Sequence, residues 1–166
     1  MNNYLLGKRD LSDLFDLEKP SYRFSDRKPI PKTGSIIYTV WNEKKEFIYV
    51  GISGIQKKPV EQRNPHSRIK AHSSGRRSGN QFCIYVHDVF VIPKVIQEEK
   101  YEYKRGNLDK LTKKYIDEYL RYRFMSFQTK DSIDIVRALE EKIKKGDVKD
   151  VGKPLFNGTK AKDKPY

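Results

Sequence analysis

Cysteine is almost missing from this chain: Cys83 stands alone among 166 residues. That excludes an intramolecular disulfide and any cysteine-rich zinc cluster. No run approaches the roughly 18 consecutive apolar residues of a membrane span, and the N-terminus carries no apolar signal segment. The expected chain is therefore soluble and cytoplasmic. Acidic residues are scarce beside basic ones, 22 against 35, leaving a formal charge of +13. A solvated basic surface is an ordinary outcome. An excess of this size nevertheless makes a polyanion the first partner to consider, because each phosphate neutralised by Lys or Arg releases counterions. Apolar residues are few at 36 %, yet eleven tyrosines and eight phenylalanines are too many for a disordered chain. One small core under a charged surface follows, with length for one domain plus an inserted segment.

Along the chain, residues 1–33 read as an N-terminal arm. Leu11, Leu14, Phe15 and Leu17 suit one short amphipathic helix, after which Pro20, Pro29 and Pro31 break regular structure. Such an arm could wrap DNA, pack on a partner subunit or cover a sheet edge. Ser35 to Asn42 and Glu46 to Ile52 are β-branched and aromatic and are joined by a polar stretch, which predicts a hairpin. Gly54, Pro59 and Pro65 mark a loop. A helix then starts near Ser67 and ends by Gly75 or Ser78-Gly79.

Residues 80–92 fit a helical stripe through Phe82, Val86, Val89 and Phe90, while their β-branched content also suits a strand; a helix stopped by Pro93 is the favoured reading. Leu108, Leu111, Tyr115, Ile116, Tyr119 and Leu120 recur at helical spacing. Arg121 to Gln128 alternates as a third strand, and Asp131 caps a helix that Gly146 ends. The predicted class is α/β (α+β), with helices around a small, mostly antiparallel three-stranded sheet. Residues 34–158 form the domain, with a helical insertion at about 80–125, and 159–166 is a basic tail.

The hairpin places Tyr38 and Tyr49 on neighbouring strands, ten residues apart. The helix beyond carries Arg68 with His72 four positions later, a late helix supplies Glu140 and Glu141, and Asn157 sits in a turn after Pro154. Ile36-Ile37-Tyr38 followed by Tyr49-Val50-Gly51 resembles the two signature triplets of the GIY-YIG nucleases. The order of arginine, glutamate and asparagine that follows is similar to that family as well. The resemblance spans roughly residues 34–158, and the Arg68/His72 pair is most similar to the type II restriction endonuclease branch. Three features depart from the pattern. Ile36 stands where the family usually has glycine, Ile52 where many members have lysine, and the interval from Glu140 to Asn157 is long.

The resemblance implies a Mg²⁺-dependent endonuclease (Mn²⁺ as an alternative) that hydrolyses phosphodiester bonds in DNA, the expected targets being double-stranded sites cut by a homodimer. The residue types suit that chemistry. A carboxylate from Glu140 would hold one cation that retains its waters, and Arg68 would fork onto phosphate oxygens. The resemblance makes Tyr38 the general base. A phenol ionises near pH 10, so a nearby cation must favour the phenolate. Tyr49 then orients water or phosphate, His72 relays the proton or binds phosphate, and Asn157 braces the site.

Glu140 shares a helical face with Val136 and Ile143, whereas Glu141 groups with Arg137 and Lys144 or Lys145 as a solvated pair, so Glu140 is the favoured ligand. Lys70, Arg76, Arg77, Ser78 and Asn80 form a basic and polar cluster beside the catalytic helix, read as DNA contacts. Two other readings stay open. The tyrosines could be ordinary cross-strand partners on an inactive nucleic-acid-binding module, or the chain could be a basic RNA-associated protein.

Overall fold

The structure, a computed structural model, describes residues 5–6, 9–97 and 105–158. It is a mixed α and β arrangement in which helices flank one three-stranded antiparallel sheet. In chain order come a two-residue ribbon, β1 (Leu5–Leu6) and β2 (Arg9–Asp10), and the single helical turn α1 (Ser12–Phe15). The hairpin β3 (Ser35–Trp41) and β4 (Phe47–Ser53) follows, then helices α2 (His66–Ser73), α3 (Gln81–Val86), α4 (Ile92–Gln97) and α5 (Arg105–Tyr119). Strand β5 (Arg121–Phe127) and helix α6 (Ser132–Lys145) complete the order. The predicted basic tail, 159–166, lies outside the described residues, as does the part of the predicted insertion at 98–104.

The sheet order is β4-β3-β5, so β3 is central and buried along its whole length. The hairpin turn is set by Asn42. Its Oδ1 accepts the backbone N–H of Lys44 (3.0 Å) and of Glu46 (2.9 Å), and Lys45 takes the left-handed conformation at φ 61°. A bulge beside Val40/Trp41 lets Ile48 and Tyr49, though consecutive, join the same core. Ile36, Tyr38 and Val40 pack on that side with Ile69, Phe82, Val86 and Ile116. Ile37, Trp41 and Val50 face the other way, onto Val136, Leu139 and Ile143 of α6. The strand period of two thus divides the molecule into two apolar layers, with α2, α3 and α5 on one and α6 on the other.

The sequence reading of residues 1–33 as an arm is corrected for the described part. Leu11, Leu14 and Phe15 are buried in the α6 layer, while Phe24 and Ile30 are buried in the opposite one. Between them, Tyr22 exchanges two backbone hydrogen bonds of 2.9 Å with Tyr122 on β5. The segment therefore closes the outer edge of β5 and passes from one face of the sheet to the other. Of the three uses open to it, covering a sheet edge is the one the structure displays.

Helix formation at 81 is as expected, but Pro93 does not stop it. The five residues His87–Val91 widen into a π-turn in which Ile92 N–H reaches back to His87 O, and the helix resumes through Pro93 to Gln97. A widened turn directly upstream re-registers the bonds around a residue that has no N–H to give. Asp131 occupies the predicted N-cap position of α6, yet its side chain makes no cap bond. Gly146 ends that helix at φ 83°, a conformation open to glycine.

Candidate functional site

Four elements bring the chemistry-bearing residues together. Tyr38 and Tyr49 lie on the same face of β3 and β4. They are diagonal neighbours, not an opposed pair: Tyr38 faces Gly51 and Tyr49 faces Val40, with ring centroids 6.3 Å apart. Gly51 is required by that arrangement. A Cβ there would lie 2.5 Å from Cζ of Tyr38 and collide with its hydroxyl. The Tyr-x-Gly spacing is thus a packing rule: the glycine supplies the space into which the neighbouring strand's phenol extends.

Helix α2 begins under β4, where Ser53 Oγ accepts the backbone N–H of Arg68 at 3.2 Å. This fixes the helix so that the Arg68 guanidinium faces both phenols, and its charge opposes the rise in their pKa values. Burial still dominates. Tyr38 is fully enclosed, and desolvation, reinforced by Tyr49, lifts its phenol well above the usual value. Tyr49 is also raised by burial. Glu140, reaching in from α6, adds to both shifts. Both tyrosines are consequently neutral phenols around pH 7.

His72 lies one helical turn beyond Arg68 and is completely buried. Its Nε2 is 2.7 Å from the Tyr38 hydroxyl and its Nδ1 is 3.0 Å from Oδ1 of Asn80. Burial, with the Arg68 charge adding to it, pushes the imidazole down to about 3, so the ring is neutral. Of its two expected roles, enclosure behind Tyr38 leaves the relay and removes direct contact with a phosphate in this arrangement.

An open cleft of about 430 Å³ runs along the end of β4, lined by Tyr49, Ile52, Ser53, Gly54, Ile55, Gln56, Ser67, Arg68 and Glu140. Its position has a topological cause. The C-terminal segment pairs with the outer edge of β4 only as far as Val50, through Leu155 N–H to Phe47 O (3.1 Å) and Phe156 N–H to Ile48 O (2.9 Å). Asn157 completes that pairing: its Oδ1 accepts Val50 N–H at 3.2 Å and its Nδ2 donates to Val50 O at 2.7 Å. From Gly51 onward this edge strand opens onto the cleft. There α2 on one face and α6 on the other both reach the same space.

Asn157 is therefore a brace, not a reacting group. Asn157→Ala leaves the Val50 N–H and C=O without these partners, and a loss of about 1–3 kcal/mol is expected. The expected readout is a lower denaturant midpoint at unchanged slope.

Glu140 is the one acid of the cleft lining among the described residues; its side chain is 17 % exposed and its carboxylate lies 2.9 Å from Lys144 Nζ. Glu141 is exposed. The pairing read for Glu141 with Lys144 or Lys145 belongs instead to Glu140. Among the described residues no three of His, Cys, Asp and Glu assemble into a closed cation cage. One carboxylate beside an open, water-accessible cleft is a donor set for an oxygen-seeking cation that keeps most of its own waters.

The basic cluster divides. Lys70, Arg76 and Ser78 are exposed. Arg77 is half-buried, with Nε 2.7 Å from Oδ1 of Asp109, so its charge is already paired. Asn80 is 6 % exposed and caps α3, with Oδ1 accepting Cys83 N–H. Its reading as a DNA contact is corrected: the amide serves the interior. Ser53, Ser67 and Gln56 line the cleft and were not singled out from the sequence, where short polar residues in a Gly/Pro loop carry no distinguishing signal. Comparison of the chain with family models, with curated proteins and with solved structures finds no match.

Proposed function

We propose that the protein is a Mg²⁺-dependent DNA endonuclease of the GIY-YIG type, acting as a compact restriction-type enzyme. One observation carries this reading: the Tyr49 phenol, the Arg68 guanidinium from α2 and the Glu140 carboxylate from α6 converge on a single open cleft, with the enclosed Tyr38 phenol directly behind them against Arg68. Phosphodiester hydrolysis needs that combination. The diester's own charge repels nucleophiles, and the leaving alkoxide is poor, so catalysis requires cationic charge at phosphorus and a proton acceptor for the attacking water.

Arg68 lines the cleft and would fork onto phosphate oxygens, drawing its charge from the phenols toward the substrate. Tyr38 is enclosed behind Arg68; with that guanidinium drawn onto the phosphate the phenol would be uncovered, and its oxygen would take a proton from water as its hydroxyl proton shifts to His72 Nε2. This relay replaces a free phenolate, which burial disfavours. Tyr49 borders the cleft and orients water or phosphate. Glu140 would hold Mg²⁺, with Mn²⁺ as a substitute; once bound, that ion supplies Lewis-acid charge to the phosphate and offsets the carboxylate's opposition to phenol ionisation. Lys70 and Arg76 extend the positive surface beside α2 for backbone contacts. A single cleft of this kind cuts one strand, so double-strand cleavage calls for a homodimer on a palindromic target.

Supercoiled plasmid tests the reading. Conversion to nicked or linear form in Mg²⁺, stopped by EDTA and restored by excess Mg²⁺, is expected. DNA retained on a gel but uncut in Mg²⁺ and in Mn²⁺ would overturn it in favour of a binding module. A salt-dependent preference for RNA over duplex DNA would overturn the choice of substrate.

A further inference from the structure

The polar atoms behind Tyr38 form an ordered chain with one orphan. Asn80 Oδ1 receives Cys83 N–H at 3.4 Å as the cap of α3, and it lies 3.0 Å from His72 Nδ1. Asn80 Nδ2 is buried with no hydrogen-bond partner among the described residues. Turning the amide over would set a donor against the Cys83 N–H and leave the carbonyl oxygen as the buried orphan, so the helix cap fixes which end faces the histidine. An oxygen has only lone pairs to offer, hence Nδ1 of His72 must carry the hydrogen. In a neutral imidazole the other nitrogen is then bare, and that nitrogen faces the Tyr38 hydroxyl.

We propose that Asn80 is a positioning residue: through the α3 cap it locks His72 in the Nδ1–H tautomer, so that the Tyr38 proton points toward the imidazole and the phenol oxygen's lone pairs are left for Arg68 at the cleft wall. The catalytic consequence rests on the nuclease reading; the tautomer does not. The groups facing the imidazole are the Tyr38 and Tyr49 phenols from the hairpin, Arg68 one turn earlier on α2, and Asn80 and Cys83 from the α3 side. Phe24 and Phe82 close the remaining sides, and Glu140 acts on the phenols beyond. Cys83 contributes no charge, since burial pushes its thiol up to about 12.

Three substitutions in the full-length protein separate positioning from capping. Asn80→Ser keeps an α3 cap but is too short to reach the histidine; Asn80→Ala loses both functions; Asn80→Asp keeps both and adds a negative charge. Nitrogen-15 NMR of the His72 ring is expected to show a protonated Nδ1 and a bare Nε2 at neutral pH. Asn80→Ser should convert this to a mixture or to the opposite tautomer while thermal stability stays near wild type. Asn80→Asp should raise the His72 titration by roughly 1–3 units, because the carboxylate favours the imidazolium. Plasmid cleavage by that variant should gain an acid limb absent from wild type, since the imidazolium has no bare nitrogen to receive the Tyr38 proton. In Asn80→Ser, kcat is expected to fall about 10- to 100-fold with KM little changed. A protonated Nε2 in the wild-type spectrum overturns the proposal, as does Asn80→Ser at full kcat. If the wild-type protein cuts no DNA, the nuclease reading fails and the NMR result still decides the tautomer.

Discussion

Replacing Glu140 by glutamine is expected to abolish Mg²⁺-dependent cleavage, by about 10²–10³-fold or more in kcat, with the fold intact. Glutamine keeps the size and one oxygen but cannot carry the charge a divalent ion requires. The cost in stability is small, because the lost pair with Lys144 is an i,i+4 helix contact worth about 0.3–0.5 kcal/mol. Glu141→Gln changes an exposed residue and should stay within about twofold of wild type in rate, with stability within roughly 0.5 kcal/mol. The pair of substitutions carries a sign as well as a size. The Glu140 charge raises the pKa of both Tyr38 and Tyr49, so removing it makes either phenol easier to ionise. Were the carboxylate a bystander to catalysis by a phenol, Glu140→Gln would speed the reaction at neutral pH. A rate that rises or stays level overturns the ligand role; a rate that collapses while the melting temperature holds supports it.

The parts of this site legible in the sequence are those set by local period. Alternation placed Tyr38 and Tyr49 on adjoining strands, and the spacing of Val136, Glu140 and Ile143 set Glu140 apart from Glu141. What the sequence hid depends on contacts distant along the chain. Phe24 and Ile30 lie among prolines and charges with no periodicity, so nothing local marks them as core. They are buried because the segment returns across the edge of β5. Asn80 sits in a run of serine, glycine and arginine that reads as surface. Its burial follows from α2 and α3 folding against each other so that the cap of one helix meets the histidine of the other. Pro93 misleads for a related reason, since its effect depends on the widened turn before it. The cleft itself exists because the chain's last described segment stops pairing at Val50, more than a hundred residues away from that segment in sequence.

Gly51→Ala is expected to remove most of the activity through a single methyl group. The new Cβ would stand 2.5 Å from Cζ of Tyr38 and 2.8 Å from Cε1 of Tyr49, closer than carbon atoms come to one another in folded proteins. One ring must move. Tyr38 has nowhere to go, since it is wholly enclosed and its hydroxyl is anchored 2.7 Å from His72. Displacing it breaks that bond and the relay with it. Overpacking at such a site costs about 1–3 kcal/mol, read as a lower melting temperature, and cleavage should fall about 10²-fold because proton transfer is sensitive to displacements of this size. Combining Gly51→Ala with Tyr38→Phe separates packing from chemistry. Deleting the hydroxyl removes one of the clashing atoms and frees the ring from His72, so that it can shift away from the methyl; the double variant should therefore be more stable than the two single losses summed, a coupling of about 0.5–3 kcal/mol. Its activity should stay at the level of Tyr38→Phe alone, because the proton-carrying oxygen is gone. Recovery of both stability and cleavage would mean that Tyr38 fills space beside Gly51 and moves no proton.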